Sequence, residues 1–564
     1  MSQQNIKNEQ ALSIFQGPPL AEDILGSLTL GGFMAEVAQK FGDNEALCWK
    51  DLSGQVRRWS YNEMHAECRK VASALLAAGV AKDTRVGVLI SNRPEWVFST
   101  FGAAMAGAVV VALNTFSTQQ ELHYQLKTAD VEVLILETGV ASKKFVEDVH
   151  AIIPQVAGST PGQLMAEELP FLRRVINIDA DATDKGIQGW MEFLAQGERV
   201  PAAMVDATIE AACPLDRALI FFSSGSTALP KAIQQTQRAA MMQCWRFGRY
   251  YQADSSARVW SANGFFFSGN FCMAFGSAFT VGGCLVLQRF FDPEEALQLF
   301  LDEKVSMPHL WPHQEARLTE CPGWLEADLS TLTHVDQNLI LATHPSINST
   351  WRQPNGYGMT ETFTFVVGGV GSDITNGSNG AVLNGNTVKI VDQDTGEILP
   401  IGETGEIVVK GPTLTAGYLK IAPEDTFDAE GFIHTADAGY FNEEGHLFWK
   451  GRLGDIIKTG GANVSPAEID AVLMQHEAIQ SVFTVGVEHD TLGEIVVSCV
   501  LLSEGKELDE AGLRAFAKQS LASYKIPRRV LFFSEEELPM TGSNKIRRPE
   551  LKKLVVERMA AEQA

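Results

Sequence analysis

The chain has 564 residues, of which 45% are hydrophobic, so it is long enough to form several packed domains. Its 69 acidic residues outnumber its 45 basic residues, which gives a formal net charge of -24 at pH 7. This charge repels phosphate backbones and anionic lipid, and no long Lys/Arg cluster reverses it locally, so nucleic acid is excluded as an expected partner.

Up to residue 380 the sequence alternates predicted helices and strands. The stretch "SYNEMHAECRKVASALLAAGV" opens with Ser60 and Glu63 in capping-box spacing and predicts a helix that ends at Gly79. The runs "RVGVLIS", "DVEVLIL", "RALIFF" and "GGCLVLQRF" are typical of buried strands. This alternation predicts an α/β fold with parallel sheets that are covered by helices on both faces.

One segment, Trp96 to Phe116, carries no charged residue over a length that could span a bilayer. Gly107 interrupts it, and "VVVAL" indicates a buried strand after a helix, so we expect no membrane span. The N-terminus shows no secretory signal, and the eight cysteines form no C-x-x-C pair. We therefore expect a cytoplasmic protein without a cysteine-based zinc site.

From residue 380 onward the pattern changes to short strands and tight turns, which predicts antiparallel structure. After "GRLGD" a mixed pattern of helices and strands resumes over a length that is normal for a domain. We place the boundary at Gly454, which divides the chain into residues 1–453 and 454–564.

A loop of small and hydroxylated residues, "SSGSTALPK", follows the predicted strand "RALIFF". Backbone N–H groups and hydroxyls in such a loop can converge on phosphate oxygens, and Lys231 supplies the compensating charge. Pro230 stands where a Walker A loop has its second glycine, so this is another kind of loop. Taken alone, a loop of this composition is more often an ordinary turn. The candidate phosphate-binding residues are Ser223, Ser224, Gly225, Ser226, Thr227 and Lys231.

Four motifs together resemble those of the ANL superfamily of adenylate-forming enzymes, which includes acyl-CoA synthetases, nonribosomal peptide adenylation domains and beetle luciferases. They are "SSGSTALPKAI", "NGYGMTET", "HTADAGYFNEEGHLFWKGRLGDIIKTGGANVSPAEID" and "LPMTGSNKIRRPEL", in the family's order over nearly the whole chain. The resemblance implies a large N-terminal domain of parallel sheets flanked by helices, with a small β-barrel-like subdomain. It also implies a small, mobile α+β C-terminal domain.

The resemblance assigns roles to the second and third motifs. In "NGYGMTET", Asn355 to Thr362, it places Tyr357 against adenine, Thr360 at the α-phosphate and Glu361 on Mg²⁺, with Asn355 and Gly356 also at the nucleotide. Singly, a tyrosine like Tyr357 is more often a core aromatic. The resemblance further implies that Asp437 binds the ribose hydroxyls and that Arg452 contacts ribose and phosphate at the domain junction.

Three further positions belong to the C-terminal part of the resemblance. Lys545, in "TGSNKIRR", corresponds to the lysine that bridges the acid and the α-phosphate, two anions that otherwise repel each other. Lys458 and Gly461 match the segment that approaches the site for thioester formation, and Gly454 matches the hinge. A swing of the small domain would bring Lys545 and Lys458 to the site in turn.

The sequence also departs from the family pattern. Alanines stand at two glycine positions of the phosphate loop, and Asn544 replaces the glycine before Lys545. In "NGFFFSGNF", Phe266 or Phe267 occupies the place of a histidine at the acyl pocket, which suggests an apolar or aromatic acid. The adenine loop before "NGYGMTET" looks shortened. The alanines of the phosphate loop are Ala228 and Ala232. His344 could face the nucleotide, but we expect a hydrogen-bonded surface histidine. The segment from Met307 to Gln314, with Trp311 and His313, falls where the wall of the acyl pocket is expected.

The resemblance implies a two-step ligase that uses ATP and Mg²⁺ to convert a carboxylic acid to an acyl-adenylate. The expected acceptor in the second step is coenzyme A. Two alternatives stay open, namely an amide-forming ligase with an amine or amino acid as acceptor and a degenerate homologue that only binds ligand. A homodimer is compatible with the sequence, which does not identify the acid.

Overall fold

The computed structural model describes residues 11–222, 230–369, 377–459, 462–489, 492–521, 525–540 and 546–563. The α-helices of these residues are α1 Leu30–Phe41, α2 Tyr61–Ala77, α3 Pro94–Met105, α4 Gln119–Thr128, α5 Phe145–Ile152, α6 Trp190–Ala195, α7 Ala202–Glu210, α8 Gln237–Tyr250, α9 Ser268–Phe271, α10 Ser277–Phe279, α11 Pro293–Asp302, α12 Pro312–Thr319, α13 Pro466–Leu473, α14 Glu510–Ala517 and α15 Arg548–Gln563.

The first strands along the same residues are β1 Ile14–Gln16, β2 Glu45–Lys50, β3 Val56–Ser60, β4 Arg85–Leu89, β5 Val109–Ala112, β6 Val133–Leu136, β7 Arg174–Asn177, β8 Gln188–Gly189, β9 Arg217–Phe222, β10 Ala232–Thr236, β11 Arg258–Ser261, β12 Cys284–Leu287 and β13 Met307–His309. The later strands are β14 Asn355–Met359, β15 Thr364–Gly369, β16 Ala381–Val382, β17 Thr387–Val391, β18 Gly405–Lys410, β19 Gly417–Tyr418, β20 Ile433–Phe441, β21 Leu447–Arg452, β22 Ile457–Thr459, β23 Ala462–Val464, β24 Ile479–His489, β25 Gly493–Leu502 and β26 Arg529–Phe532.

Helix α2 shows how local sequence sets these elements. The Ser60 hydroxyl accepts from the backbone N–H of Glu63, and the Glu63 carboxylate accepts from the backbone N–H of Ser60, so the predicted capping box is present. The buried face of the helix carries Met64, Cys68 and Leu75, at the spacing that one helical stripe requires. It packs against α3, which covers the parallel sheet.

Two sheets of largely parallel strands form the large N-terminal domain. The eight-stranded sheet has the order β19-β10-β9-β5-β4-β6-β7-β8, and its strands from β9 to β8 run parallel. The second sheet has the order β13-β11-β12-β2-β3 and is parallel from β13 to β2. The mixed α/β architecture with parallel sheets is therefore confirmed.

Antiparallel pairing predominates from residue 380 to the end of β21, as predicted, but the earlier strands β1, β14 and β15 also take part in it. Strands β1-β17-β18-β20-β21 form a five-stranded antiparallel sheet, and β14-β15-β16 form a three-stranded one. In the described part of the chain the two end strands of the larger sheet do not pair with each other, so it is an open sheet rather than a closed barrel.

The small C-terminal domain contains one sheet with the order β23-β22-β25-β24, and β26 joins it parallel to β25. Helices α13, α14 and α15 pack on this sheet or its strands. The domain boundary predicted at Gly454 falls in a 3-10 turn, Leu453–Asp455, between β21 and β22. Both the mixed fold of this domain and its small size are as expected.

The uncharged segment from Trp96 to Phe116 forms the end of α3 and the buried strand β5, as predicted. Among the described residues no helix has both the length and the apolar character that crossing a membrane requires. All eight cysteines lie in the described ranges, and each is a free thiol.

Candidate active site

Strand β14 leads directly into a 3-10 turn, Thr360–Thr362, and so carries the whole "NGYGMTET" motif. A register shift between Tyr357 and Gly358 bends the strand against β15. A Cβ atom at Gly358 would lie 1.8 Å from the backbone oxygen of Thr364, so this approach requires glycine. Pairing with β15 continues through Met359, the partner of Thr364, and the turn that carries Thr360 and Glu361 follows at once.

Asp437 lies at the centre of a polar cluster formed by three strands. The Tyr357 hydroxyl on β14 donates a 2.7 Å hydrogen bond to Asp437 Oδ2, and Arg452 Nε on β21 lies 3.2 Å from Asp437 Oδ1. Asp437 and Arg452 are also direct partners in the β20–β21 ladder. Nη1 of Arg452 donates to the backbone oxygen of Thr435, which fixes the guanidinium.

The electrostatics of this cluster suit a carboxylate that accepts hydrogen bonds. Burial raises the pKa of Asp437 above its usual range, and the Arg452 charge and the Tyr357 hydroxyl offset part of that effect. The Asp437 side chain is 6% exposed while that of Arg452 is 51% exposed, so the pair spans the boundary between interior and solvent. Tyr357 is itself buried, and burial raises the pKa of its phenol well above the usual value.

The position of Tyr357 bears on its expected role against adenine. With its ring only 6% exposed, most of the ring surface is covered by the protein. Stacking on a base therefore requires part of this cover to move, and the role stays a prediction. Asn355, at the start of β14, is exposed and donates through Nδ2 to the backbone oxygen of Ser378, while Oδ1 accepts from the N–H of Gly356.

Glu361 is buried within the 3-10 turn Thr360–Thr362 that follows β14. Its Oε1 accepts a 2.9 Å hydrogen bond from the hydroxyl of Tyr418, and its backbone oxygen accepts from the N–H of Thr415. The ammonium of Lys231 lies 4.5 Å from the centre of the Tyr418 ring. Tyr418 was not predicted as a site residue, because it lies outside the four motifs and only the folded chain brings it to Glu361.

The phosphate-loop candidates Ser223 to Thr227 lie outside the described residues. Strand β9 ends just before them, and the exposed Lys231 immediately precedes β10, so the ends of the loop lie on two paired strands. Gln235 on β10 donates through Nε2 to the backbone oxygen of Thr360. The strand that follows the loop is thereby joined to the turn that carries Thr360 and Glu361.

Lys545 and Gly461 also lie outside the described residues. Ile546, next to Lys545 in the chain, forms a β-bridge with Met540, so both flanks of this segment are held together. Lys458 is exposed on β22, and its backbone N–H donates to a carboxylate oxygen of Glu494. The structure thus brings Tyr357, Thr360, Glu361, Asp437 and Arg452 into one region, and the reach of Lys458 and Lys545 stays a prediction.

The expected acyl-pocket residues form an aromatic wall. The rings of Phe266 and Phe267 lie 4.5 Å apart, and Phe267 lies 6.3 Å from Trp311. Nearby, the buried His309 places Nε2 3.1 Å from the Ser277 hydroxyl, and burial lowers the pKa of His309 to about 3. The three rings thus form one aromatic surface, and the imidazole of His309 is uncharged at neutral pH.

His344 differs from its expectation as a surface histidine. It is buried, with Nε2 2.7 Å from the backbone oxygen of Trp324 and Nδ1 2.9 Å from the Ser346 hydroxyl. It is fully hydrogen-bonded in a structural position because the shortened segment before β14 packs inward. In residues 327–354, which the structure describes throughout, the regular structure is one 3-10 turn, Ile340–Thr343. Strand β13, earlier in the chain, lies at the edge of its sheet among the described residues.

Comparisons with known proteins decide the family. The model of the "AMP-binding enzyme" family matches residues 34–419, and that of the "AMP-binding enzyme C-terminal domain" matches residues 468–545. The chain belongs to the family of AMP-binding enzymes. It is an adenylate-forming enzyme of the acyl-CoA synthetase type, as the motifs indicated.

This AMP-binding enzyme is similar over its whole length to several acyl-CoA ligases. It is 28% identical to the acyl-CoA ligase sidI of Aspergillus fumigatus, with 99% of this chain and 96% of that protein covered. It is also 28% identical to the crotonobetaine/carnitine–CoA ligase of Salmonella paratyphi C, with 94% and 100% covered. The crystal structure of the anthranilate CoA ligase AuaEII with anthranoyl-AMP has the same fold, with a TM-score of 0.76, 23% identity and coverage of 93% and 97%.

Proposed function

We propose that this AMP-binding enzyme is an AMP-forming acid–thiol ligase that transfers an apolar or aromatic acyl group to coenzyme A. The observation that supports it best is the Tyr357–Asp437 hydrogen bond. That bond joins the strand carrying Thr360 and Glu361 to the strand pair carrying Asp437 and Arg452. A nucleotide placed there meets a ribose acceptor, an α-phosphate donor and a metal-binding carboxylate in one row.

In this proposal each side chain acts on one part of ATP. Asp437 accepts hydrogen bonds from the two ribose hydroxyls, and its buried carboxylate gains strength from the low local dielectric. The hydroxyl of Thr360 donates a hydrogen bond to an oxygen of the α-phosphate. Arg452 adds positive charge from the half-exposed rim of the site, where it also neutralises Asp437.

The residues fit a magnesium ion at Glu361. Glu361 as a residue is 7% exposed, and the Tyr418 hydroxyl donates to one of its carboxylate oxygens. Within the described part of the chain the other oxygen is available as a hard ligand of the kind that Mg²⁺ prefers. The remaining ligands would be phosphate oxygens and water. Bound there, the ion would screen negative charge on the phosphates, and Glu361 would hold it in place.

The acid and the nucleotide are both anions, so their approach requires further positive charge. We assign this task to Lys545 for the attack on the α-phosphorus, with Lys231 and the loop Ser223 to Thr227 holding the other phosphates. Rotation at Gly454 would then withdraw Lys545 and present Lys458 and Gly461 to the acceptor. The division into residues 1–453 and 454–564 is part of this proposal.

Two linked assays test the function. Exchange of labelled pyrophosphate into ATP, measured with a panel of aliphatic and aromatic acids, should be acid-dependent and greatest for an apolar acid. With the best acid, mass spectrometry should then detect an acyl-CoA when coenzyme A is added. If amide products form with amines or amino acids and no acyl-CoA forms, the acceptor is an amine and the proposed thiol acceptor is wrong. Absence of exchange across the panel would leave a ligand-binding homologue and contradict the proposal.

A further inference from the structure

Tyr418 lies on β19, a two-residue strand at the edge of its sheet. Strand β19 pairs with β10, and β10 is the strand that follows the phosphate loop in the chain. In this ladder Tyr418 is the partner of Ile233, and the backbone N–H of Leu419 donates to the oxygen of Ala232 at 2.8 Å. The preceding Gly417 has a φ of 110°, a backbone conformation that side chains disfavour. The position of Tyr418 is therefore set by the strand that Lys231 immediately precedes.

A second set of contacts fixes the backbone of Glu361 to the same strand. The N–H of Thr415 donates to the Glu361 backbone oxygen at 2.6 Å, and the Thr415 hydroxyl donates to the backbone oxygen of Gln234 at 2.6 Å. Gln234 pairs with Gly417 in the β10–β19 ladder. Tyr418 and Glu361 are thus both anchored on β10, one through the ladder and one through Thr415.

The side chain of Tyr418 makes two contacts, one through its hydroxyl and one through its ring. Its hydroxyl donates to Glu361 Oε1 at 2.9 Å, and the ammonium of Lys231 lies 4.5 Å from the centre of its ring. The usual pKa of a tyrosine side chain, about 10, already keeps this hydroxyl protonated, and so a donor, at neutral pH. A single side chain therefore contacts both the candidate metal ligand and the candidate phosphate lysine.

We propose that Tyr418 is a positioning residue for adenylation, which orients the Glu361 carboxylate through its hydroxyl and Lys231 through its ring. This inference rests on the function proposed above for Glu361 and Lys231. Partners that orient a metal ligand generally change metal affinity by about 10- to 100-fold when they are removed. The hydroxyl should therefore set metal affinity, and the ring should set the affinity for the outer phosphates.

Two substitutions separate these effects. Tyr418→Phe keeps the ring and removes the hydroxyl, and Tyr418→Leu removes both. Tyr440→Phe removes a hydroxyl from a ring that stacks on Phe448 in β20–β21 and serves as the control. Binding of Mn²⁺ is measured by electron paramagnetic resonance at a fixed concentration of α,β-methylene-ATP, which cannot be cleaved. Metal-free binding of ATP and of AMP is measured by calorimetry.

We expect Tyr418→Phe to weaken Mn²⁺ binding by about 10-fold and to leave metal-free ATP and AMP binding unchanged. Tyr418→Leu should in addition weaken metal-free ATP binding more than AMP binding, because Lys231 loses its orientation. Equal Mn²⁺ affinity of Tyr418→Phe and the wild type would overturn the inference and leave the proposed function intact. A wild type that binds neither the analogue nor Mn²⁺ with it would overturn both.

Discussion

The hydroxyl of Tyr357 donates to the carboxylate of Asp437, and the guanidinium of Arg452 approaches the same carboxylate from the other side. These three groups come from β14, β20 and β21, which belong to two different sheets. A nucleotide that binds Asp437 therefore contacts the point where the two sheets meet.

Asp437→Asn should weaken the binding of AMP by about 10- to 100-fold. A hydrogen bond to a charged group contributes about 1.5–3 kcal/mol, and the amide can accept through only one atom. Calorimetric titration with AMP measures the change. Asp392→Asn removes the same charge from an exposed turn and should bind AMP like the wild type. If both variants bind AMP equally, Asp437 is not the ribose ligand.

Adenosine affinity should fall as the pH is lowered through the raised pKa of Asp437. Burial raises the pKa of Asp437, so its carboxylate is protonated at a higher pH than that of an ordinary aspartate and then loses acceptor capacity. Adenosine is used in place of AMP because it lacks a titrating phosphate. In Asp437→Asn this pH dependence should disappear, and its persistence would assign the effect to another group.

The sign for folding is opposite to that for binding. A carboxyl group whose pKa is raised in the folded state favours folding most when it is protonated, and that contribution is lost as the pH rises through the raised pKa. Ionised Asp437 is thus kept at a cost in stability. Arg452 and Tyr357 lower this cost, which is consistent with selection of the cluster for binding rather than for stability.

Gly358→Ala should destabilise the protein by about 1–3 kcal/mol and weaken nucleotide binding. The added Cβ would lie 1.8 Å from the Thr364 backbone oxygen and would force β14 and β15 apart at their bend. Thermal unfolding with and without AMP measures both effects. Gly158→Ala is the matched control, since a Cβ there meets no atom within 4 Å. Equal melting temperatures for the two variants would contradict the tight bend.

Lys545→Ala should lower acyl-adenylate formation by about 10²- to 10³-fold, the effect typical of removing one stabilising charge from a transition state. Thioester formation from preformed acyl-AMP should stay close to the wild-type rate, because that step does not join two anions. Single-turnover assays of each half-reaction measure the two rates. Lys553→Ala, which removes an exposed charge on α15, is the control. Equal losses in both steps would rule out the proposed division of labour.

The sequence predicted the parts of the site that depend on short stretches of chain. Tyr357, Thr360 and Glu361 share one strand and turn, so a local motif was enough to identify them as a group. Tyr418 escaped prediction because its position depends on the pairing of β19 with β10, which are far apart in the chain. Helix α2 was predicted correctly because its apolar residues recur at the spacing of one buried helical face. Strand β5 was predicted correctly because its continuous apolar run matches a strand that is buried on both faces.

His344, whose exposure was predicted wrongly, shows the same dependence on contacts between distant parts of the chain. His344 stands in a stretch without periodicity, where it is buried and hydrogen-bonded to the backbone of Trp324, 20 residues earlier in the chain. The stretch itself does not specify that contact. The β-barrel-like subdomain likewise depended on whether the end strands β1 and β21 pair, which local sequence does not encode. The burial of His344 and the open form of the sheet from β1 to β21 therefore both depend on contacts between residues far apart in the chain.

Gly454→Pro should reduce thioester formation more than adenylation, because the two steps need different positions of the small domain. Proline fixes its own φ and disfavours the helical conformation of the preceding residue, Leu453, which lies in a 3-10 turn. Gly454→Ala is the matched control, since a Cβ at this position meets no atom within 4 Å and leaves the backbone free to rotate. Pre-steady-state measurement of each half-reaction should show the proline variant impaired in transfer and the alanine variant close to the wild type. Unchanged transfer in the proline variant would move the hinge away from Gly454.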